Sequence, residues 1–135
     1  MGLRLKERGR YYELPIEGAR IKEIIYSGLI TVVFNDADSS YLELHGNFEI
    51  IRYNQKSTIS PRDKEAFLLF YDLFSICVKE AKADRQSRLS ITFENDFELT
   101  MNEVGPFEAW HFTKINSASS GSSLHVHGGS GKLIF

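Results

Sequence analysis

His125 and His127 stand two residues apart in an alternating stretch, so both imidazoles project from one face of a strand. That spacing can supply two ligands to zinc, with His111 on the preceding strand as a third. Plain alternation competes with this reading: the histidines fill polar outward positions around Val126, and no Asp, Glu or Cys stands beside the pair. We therefore expect no cofactor. A small metal-binding domain or metal-dependent enzyme built on His111, His125 and His127 is the alternative.

Other candidates reduce to structure. Gly128-Gly129-Ser130-Gly131-Lys132 imitates a phosphate cradle, but Val126 stands where a P-loop needs its first Gly, and Leu133 where it needs Ser or Thr. The glycines serve backbone turning instead. Cys77 lies on an apolar stripe and reads as a small buried hydrophobe rather than a nucleophile. Asp36 and Asp38 lack the glycine and terminal Glu of a calcium loop and read as turn formers. Acidic residues are scattered over several segments, so spacing defines no acid–base pair. The chain does not read as an enzyme.

The elements that must position these residues are mostly strands. Ile21–Tyr26, Leu29–Phe34, Tyr41–Leu44 and Phe48–Tyr53 carry β-branched and alternating apolar residues, separated by Gly, Asn, Asp and Ser clusters. Leu89, Ile91 and Phe93 turn at Asn95-Asp96 into Phe97, Leu99 and Met101, the clearest hairpin. Glu108–Ile115 and Leu124–His127 follow, and Asn54 to Thr58 reads as a polar connection. Between them Ser60 to Ala83 shows helical recurrence at Phe67, Phe70, Phe74, Cys77, Val78 and Ala81, widened by Leu69, Leu73 and Ile76. Pro61 suits a first helical turn. The expectation is α+β: one curved antiparallel sheet of about six to eight strands packed on one long central helix. Residues 1–135 form one domain, with residues 1–20 as an N-terminal arm or short edge strand.

Composition narrows the class. Hydrophobic residues make up 42% and charged residues 25%, and the formal net charge of −2 gives no global pull toward nucleic acid or anionic membrane. No apolar run reaches the ~18 residues of a membrane span. The single cysteine rules out an intramolecular disulfide and favours a reducing compartment, so the expected location is the cytoplasm. Charge is uneven, however. From Asp84 to Trp110 the acidic residues Asp84, Glu94, Asp96, Glu98, Glu103 and Glu108 face only Arg85 and Arg88. Such a surface steers a basic partner, and Trp110 can anchor the contact.

Gly46-Asn47-Phe48, the Pro61-started helix, the hairpin from Leu89 to Leu99, Pro106–Phe112 and the closing Gly128-Gly129 occur in a distinctive order. That order resembles a family of small bacterial domains of unknown function, whose members read Tyr-Glu-Ala-Trp in the late strand and end in Pro-Gly-Gly. Here Phe107 stands for the Tyr and His127 for the Pro. The resemblance covers residues 21–130 and extends to immunity proteins of polymorphic toxin and contact-dependent inhibition systems. It implies no catalytic residues. It implies instead a cytoplasmic protein that neutralises a cognate toxin domain, such as a nuclease, by occlusion. The expected contact residues are Glu94, Asp96, Glu98, Glu103, Glu108 and Trp110, without direct nucleic-acid or membrane binding. The expected oligomeric state is a monomer or homodimer, and a homodimeric structural module is a further alternative.

Overall fold

The computed structural model describes residues 6–37, 39–102, 109–115 and 123–128. In chain order the elements are β1 (Lys6–Arg8), β2 (Tyr11–Glu13), β3 (Ile21–Tyr26), β4 (Ile30–Phe34), β5 (Tyr41–Leu44), β6 (Phe48–Arg52) and β7 (Gln55–Ile59). Then come α1 (Lys64–Asp72), β8 (Val78–Asp84), β9 (Leu89–Phe93), β10 (Glu98–Met101), β11 (Trp110–Ile115) and β12 (Ser123–Gly128). They form two sheets, ordered β1-β2-β8-β9-β10-β6-β7 and β12-β11-β5-β4-β3, with every pairing antiparallel.

Period-two alternation places the core. Ile30, Val32 and Phe34 of β4, Leu42 and Leu44 of β5, Phe112 of β11 and Val126 of β12 are buried from the five-stranded sheet. Phe48 and Ile50 of β6, Ala81 and Ala83 of β8, Leu89, Ile91 and Phe93 of β9, and Leu99 of β10 are buried from the seven-stranded one. They belong to one continuous cluster, so each sheet covers the other's apolar face. Each five-residue strand presents alternate side chains to that core and leaves the rest for the surface.

The expected long helix is not there. Of the described residues 54% lie in strands and 8% are helical, so the α+β reading, one sheet around a central helix, is overturned. The helix spans Lys64–Asp72, with Asp63 as an extended N-cap that makes no side-chain capping bond. It buries Ala66, Leu69, Phe70 and Leu73 on one narrow face. Phe70 meets Phe48 of the seven-stranded sheet at 5.7 Å between ring centres, while α1 also lies against β3 and β4. It ends by tightening: Leu73 N–H donates to the Phe70 carbonyl and Phe74 N–H to that of Tyr71, both three residues back.

Beyond it, Val78–Asp84 is a strand inside the seven-stranded sheet, between β2 and β9. Its Ala81 and Ala83 alternate inward, and hydrogen-bonded neighbours on both sides outweigh its weak helical recurrence. Residues expected to form an arm or a short edge strand supply the missing partner, as strands at the sheet edge. β2 pairs with β8, and Leu14 and Gly18 N–H groups donate to the Ala81 and Val78 carbonyls at 2.9 and 2.7 Å. β7, expected as a connection, returns from β6 through Tyr53 and Asn54, whose φ values of 53° and 61° fit the two-residue hairpin turn. Among the described residues no helix is long and apolar enough to cross a membrane.

Candidate functional site

Two surface groups combine chemistry-bearing side chains, one on each sheet. The first is the apex of the seven-stranded sheet. Because β10 and β6 are antiparallel neighbours, with Glu98 opposite Ile51, the β9–β10 and β6–β7 turns lie side by side. Tyr53 projects from one, 85% exposed, and meets Phe97 of the other edge-on at 5.4 Å between ring centres. Tyr53, Asn54 and Asp96 all have positive φ, a conformation that disfavours a bulky side chain such as tyrosine. The β9–β10 turn closes through Asp96 N–H to the Phe93 carbonyl and Phe93 N–H to the Phe97 carbonyl, both 2.9 Å. Glu94 N–H donates to the Cys77 carbonyl at 2.9 Å, tying the turn to the chain entering β8.

The expected contact residues divide here. Glu94 and Asp96 are exposed at the apex, with Lys79 Nζ 3.7 Å from Asp96. Glu98 is half-buried and accepts from Ser90 Oγ at 3.3 Å. Asp84, also counted in the acidic stretch, is held by Arg88 at 2.6 Å, so the charge excess is not one patch. Glu103 and Glu108 lie outside the described residues. Trp110 is fully buried and its Nε1–H donates to the Ser87 carbonyl at 2.9 Å, so this ring has no surface to offer a partner. Its place is the core, where the alternation of β11 sets Trp110 and Phe112 inward.

The second group lies on the outer face of the five-stranded sheet. Register sets His127 opposite His111, His111 opposite Glu43, and Thr113 opposite His125. His45 lies two residues beyond Glu43 on the same side, so the chain's four histidines share one face. The rings of His111 and His127 stack at 3.8 Å and 21°, and His111 and His125 lie 5.7 Å apart. Glu43 joins the group through Oε1, 3.6 Å from His111 Nδ1, and Oε2, 3.3 Å from His45 Nε2. Thr113 Oγ1 sits between His111 Nε2 at 3.2 Å and His125 Nδ1 at 3.4 Å. As the side chains stand, no three His, Cys, Asp or Glu groups among the described residues enclose a common point.

Beside this face, Asp36 anchors the β4–β5 connection to β11. Its carboxylate accepts from Lys114 Nζ at 2.8 Å, from Ser40 N–H at 2.7 Å and from Ser40 Oγ at 2.5 Å. Burial pushes the Asp36 carboxyl up, but the bonds from Lys114 and Ser40 outweigh it and hold the group below its ordinary value. Sequence reasoning identified Asp36 as a turn former, and the Ser40 bonds agree. The pairing with Lys114, 78 residues away, had no local signal. Sequence reasoning also missed Tyr53, Phe97, Glu43, His45 and Thr113. The Asn54 turn and the outward parity of β5 are the signals for Tyr53, Glu43 and His45. Phe97 packs against the core, as the alternation of its hairpin predicts, and also meets Tyr53.

Two antiparallel sheets around one core, with an aromatic–acidic apex and a histidine face outside, define a small β domain. The chain belongs to the family of unknown function DUF6188, whose model matches residues 12–122. No curated protein and no solved structure matches it. Membership of a family of unknown function is thus established, and its description names neither immunity proteins nor toxins.

Proposed function

We propose that this protein is a non-catalytic immunity-type binding domain that occludes a cognate toxin domain, with the apex of its seven-stranded sheet as the contact surface. The observation that carries the reading is Tyr53. A bulky aromatic is held at positive φ and 85% exposed at a hairpin apex, where Gly or Asn would relieve strain. Local strain that fold stability does not require is expected where a surface is kept for a contact, and tyrosine is among the residues favoured at interface hot spots. Phe97 supports the ring from the neighbouring turn, and Glu94 and Asp96 flank it with negative charge.

A basic substrate cleft, as in a nuclease toxin, complements the negative charge of Glu94 and Asp96. The resemblance in the order of motifs from Gly46 to Gly128 supports the same class of partner. Binding by the intact chain to the product of the gene immediately upstream tests the proposal. Charge reversal at Glu94 and Asp96 should slow association, and the effect should shrink at high salt as the Debye length falls below 10 Å. An unchanged association rate removes the acidic flank from the interface. Self-association through the apex in place of a hetero-complex contradicts the toxin-binding reading.

A further inference from the structure

We propose that the exposed face of α1 pairs with the same face of a second copy of this chain, the two helices running antiparallel about a two-fold axis beside Leu68. Four of the seven large apolar side chains exposed among the described residues gather here: Tyr26 at the end of β3, and Phe67, Leu68 and Tyr71 on α1. Spacings of three and four residues make the α1 trio neighbours on the helix surface. Tyr26, Lys64 and Phe67 line one hollow beside them, and the Tyr26 hydroxyl donates to the Arg62 carbonyl at the approach to the helix. Contiguous apolar surface of this kind marks a contact site.

The charges identify the occupant. Lys64 is the first residue of α1 and Asp72 the last, both exposed and neither in an ion pair among the described residues. A helix dipole favours anions at its start and cations at its end, so both residues stand against their own helix. Asp63 and Glu65 carry the favourable sign at the start, and no base stands in the last turn. Lys64 and Asp72 lie four residues either side of Leu68, so an antiparallel copy sets Lys64 level with Asp72 of that copy, twice over by symmetry. Each charge then meets its opposite and the favourable dipole end of the neighbouring helix. Glu65 falls level with Tyr71 of the second copy, whose hydroxyl can donate to the carboxylate. Such a pattern complements itself, as a two-fold contact requires. A helix of nine residues makes a small interface, so the dimer is of the weak, transient class and the dilute chain is a monomer in which Leu68 stays exposed. Phe70 holds α1 at the Phe48 end of β6, whereas Tyr53 lies beyond its other end, so this proposal and the toxin contact can each fail without the other.

The test is sedimentation velocity of the full-length chain without an affinity tag, from micromolar to millimolar concentration. The expected result is a monomer that passes reversibly into a dimer. K64E and D72K should each weaken the dimer at least about tenfold, because each sets like charges face to face. The K64E/D72K double variant exchanges the two charges and should restore association to within about threefold of the parent. Eight residues separate the two positions, about 12 Å along one helix, so such a rescue arises only between chains. Each single reversal also relieves a misfit with its own helix dipole, so the dilute variants should melt no lower than the parent. L68E should remain monomeric throughout, and Y53G should dimerise as the parent does. A parent chain that stays monomeric to millimolar concentration overturns the proposal and leaves the face to another partner. A dimer unchanged by K64E and D72K, or one that the double variant fails to restore, overturns it too.

Discussion

A Cβ placed on Gly128 falls 2.3 Å from both Cε2 and Cζ2 of Trp110, closer than any side chain tolerates. The Trp110 ring therefore occupies the space over the β12 backbone, and only glycine fits opposite it. Gly46 plays a milder version of the same part, its virtual Cβ lying 3.1 Å from Ala109 Cβ. Gly46, Ala109, Trp110 and Gly128 thus form a packing node where β5, β11 and β12 meet.

Replacing Gly128 with Ala should destabilise the fold by roughly 1–3 kcal/mol through overpacking. Urea unfolding followed by Trp110 fluorescence measures this. An unchanged midpoint would mean that the ring moves freely.

The Asp36–Lys114 pair predicts a pH dependence with a definite sign. Asp36 has a depressed folded pKa, so its stabilising contribution is complete above its ordinary value of 3.8 and is lost as pH falls through the folded value. Asp36→Asn should cost about 1.5–3 kcal/mol at pH 7, the range for hydrogen bonds to charged groups. The gap between variant and parent should narrow as pH falls from 3.8 through the lower folded value, where the folded parent's carboxylate takes up a proton in turn. Thermal melts of both proteins across the acid range check the slope.

Two adjacent leucines distinguish the short helix from the expected long one. Leu69 is 3% exposed and Leu68 is 52% exposed. Leu69→Ala should lose about 2–4 kcal/mol, whereas Leu68→Ala should stay within about 0.5 kcal/mol. Equal losses in denaturant melts would place a second apolar surface over α1.

Much of the strand pattern was legible. Alternation located β3 to β6 and β9 to β12 because each strand has one buried face, and that pattern is local. The helix boundary was not legible, because Cys77, Val78 and Ala81 continue the apolar recurrence while β9, next in sequence, and a strand distant in sequence flank Val78–Asp84. That distant strand is β2, contributed from residues read as an arm or a short edge strand. Pairing partners separated by some 70 residues leave no trace in a short window of sequence. The same distance hid the second sheet, since register and not composition decides which strands share an edge. At the candidate sites, His111, His125 and His127 were visible from parity alone. Their meeting with Glu43 and His45 depends on β5 lying beside β11. For Trp110 residue type leaves a contact anchor and a core position equally open, and its inward parity on β11 decides for the core.

Tyr53 sets stability against binding. Y53G removes the strain of positive φ but also the edge contact with Phe97, terms of opposite sign near 1 kcal/mol each. The melting temperature should therefore change little, and a loss of several kcal/mol in a denaturant melt would show Tyr53 to be a structural residue.

Toxin occlusion through Tyr53 is tested by the dissociation constants of parent and Y53G for the product of the gene immediately upstream, measured by calorimetry. The parent should form a tight one-to-one complex that blocks the toxin's activity, and Y53G should bind at least tenfold more weakly with its fold intact. A complex unaffected by Y53G would contradict the assignment of the apex, and no complex with the parent would contradict the immunity reading itself.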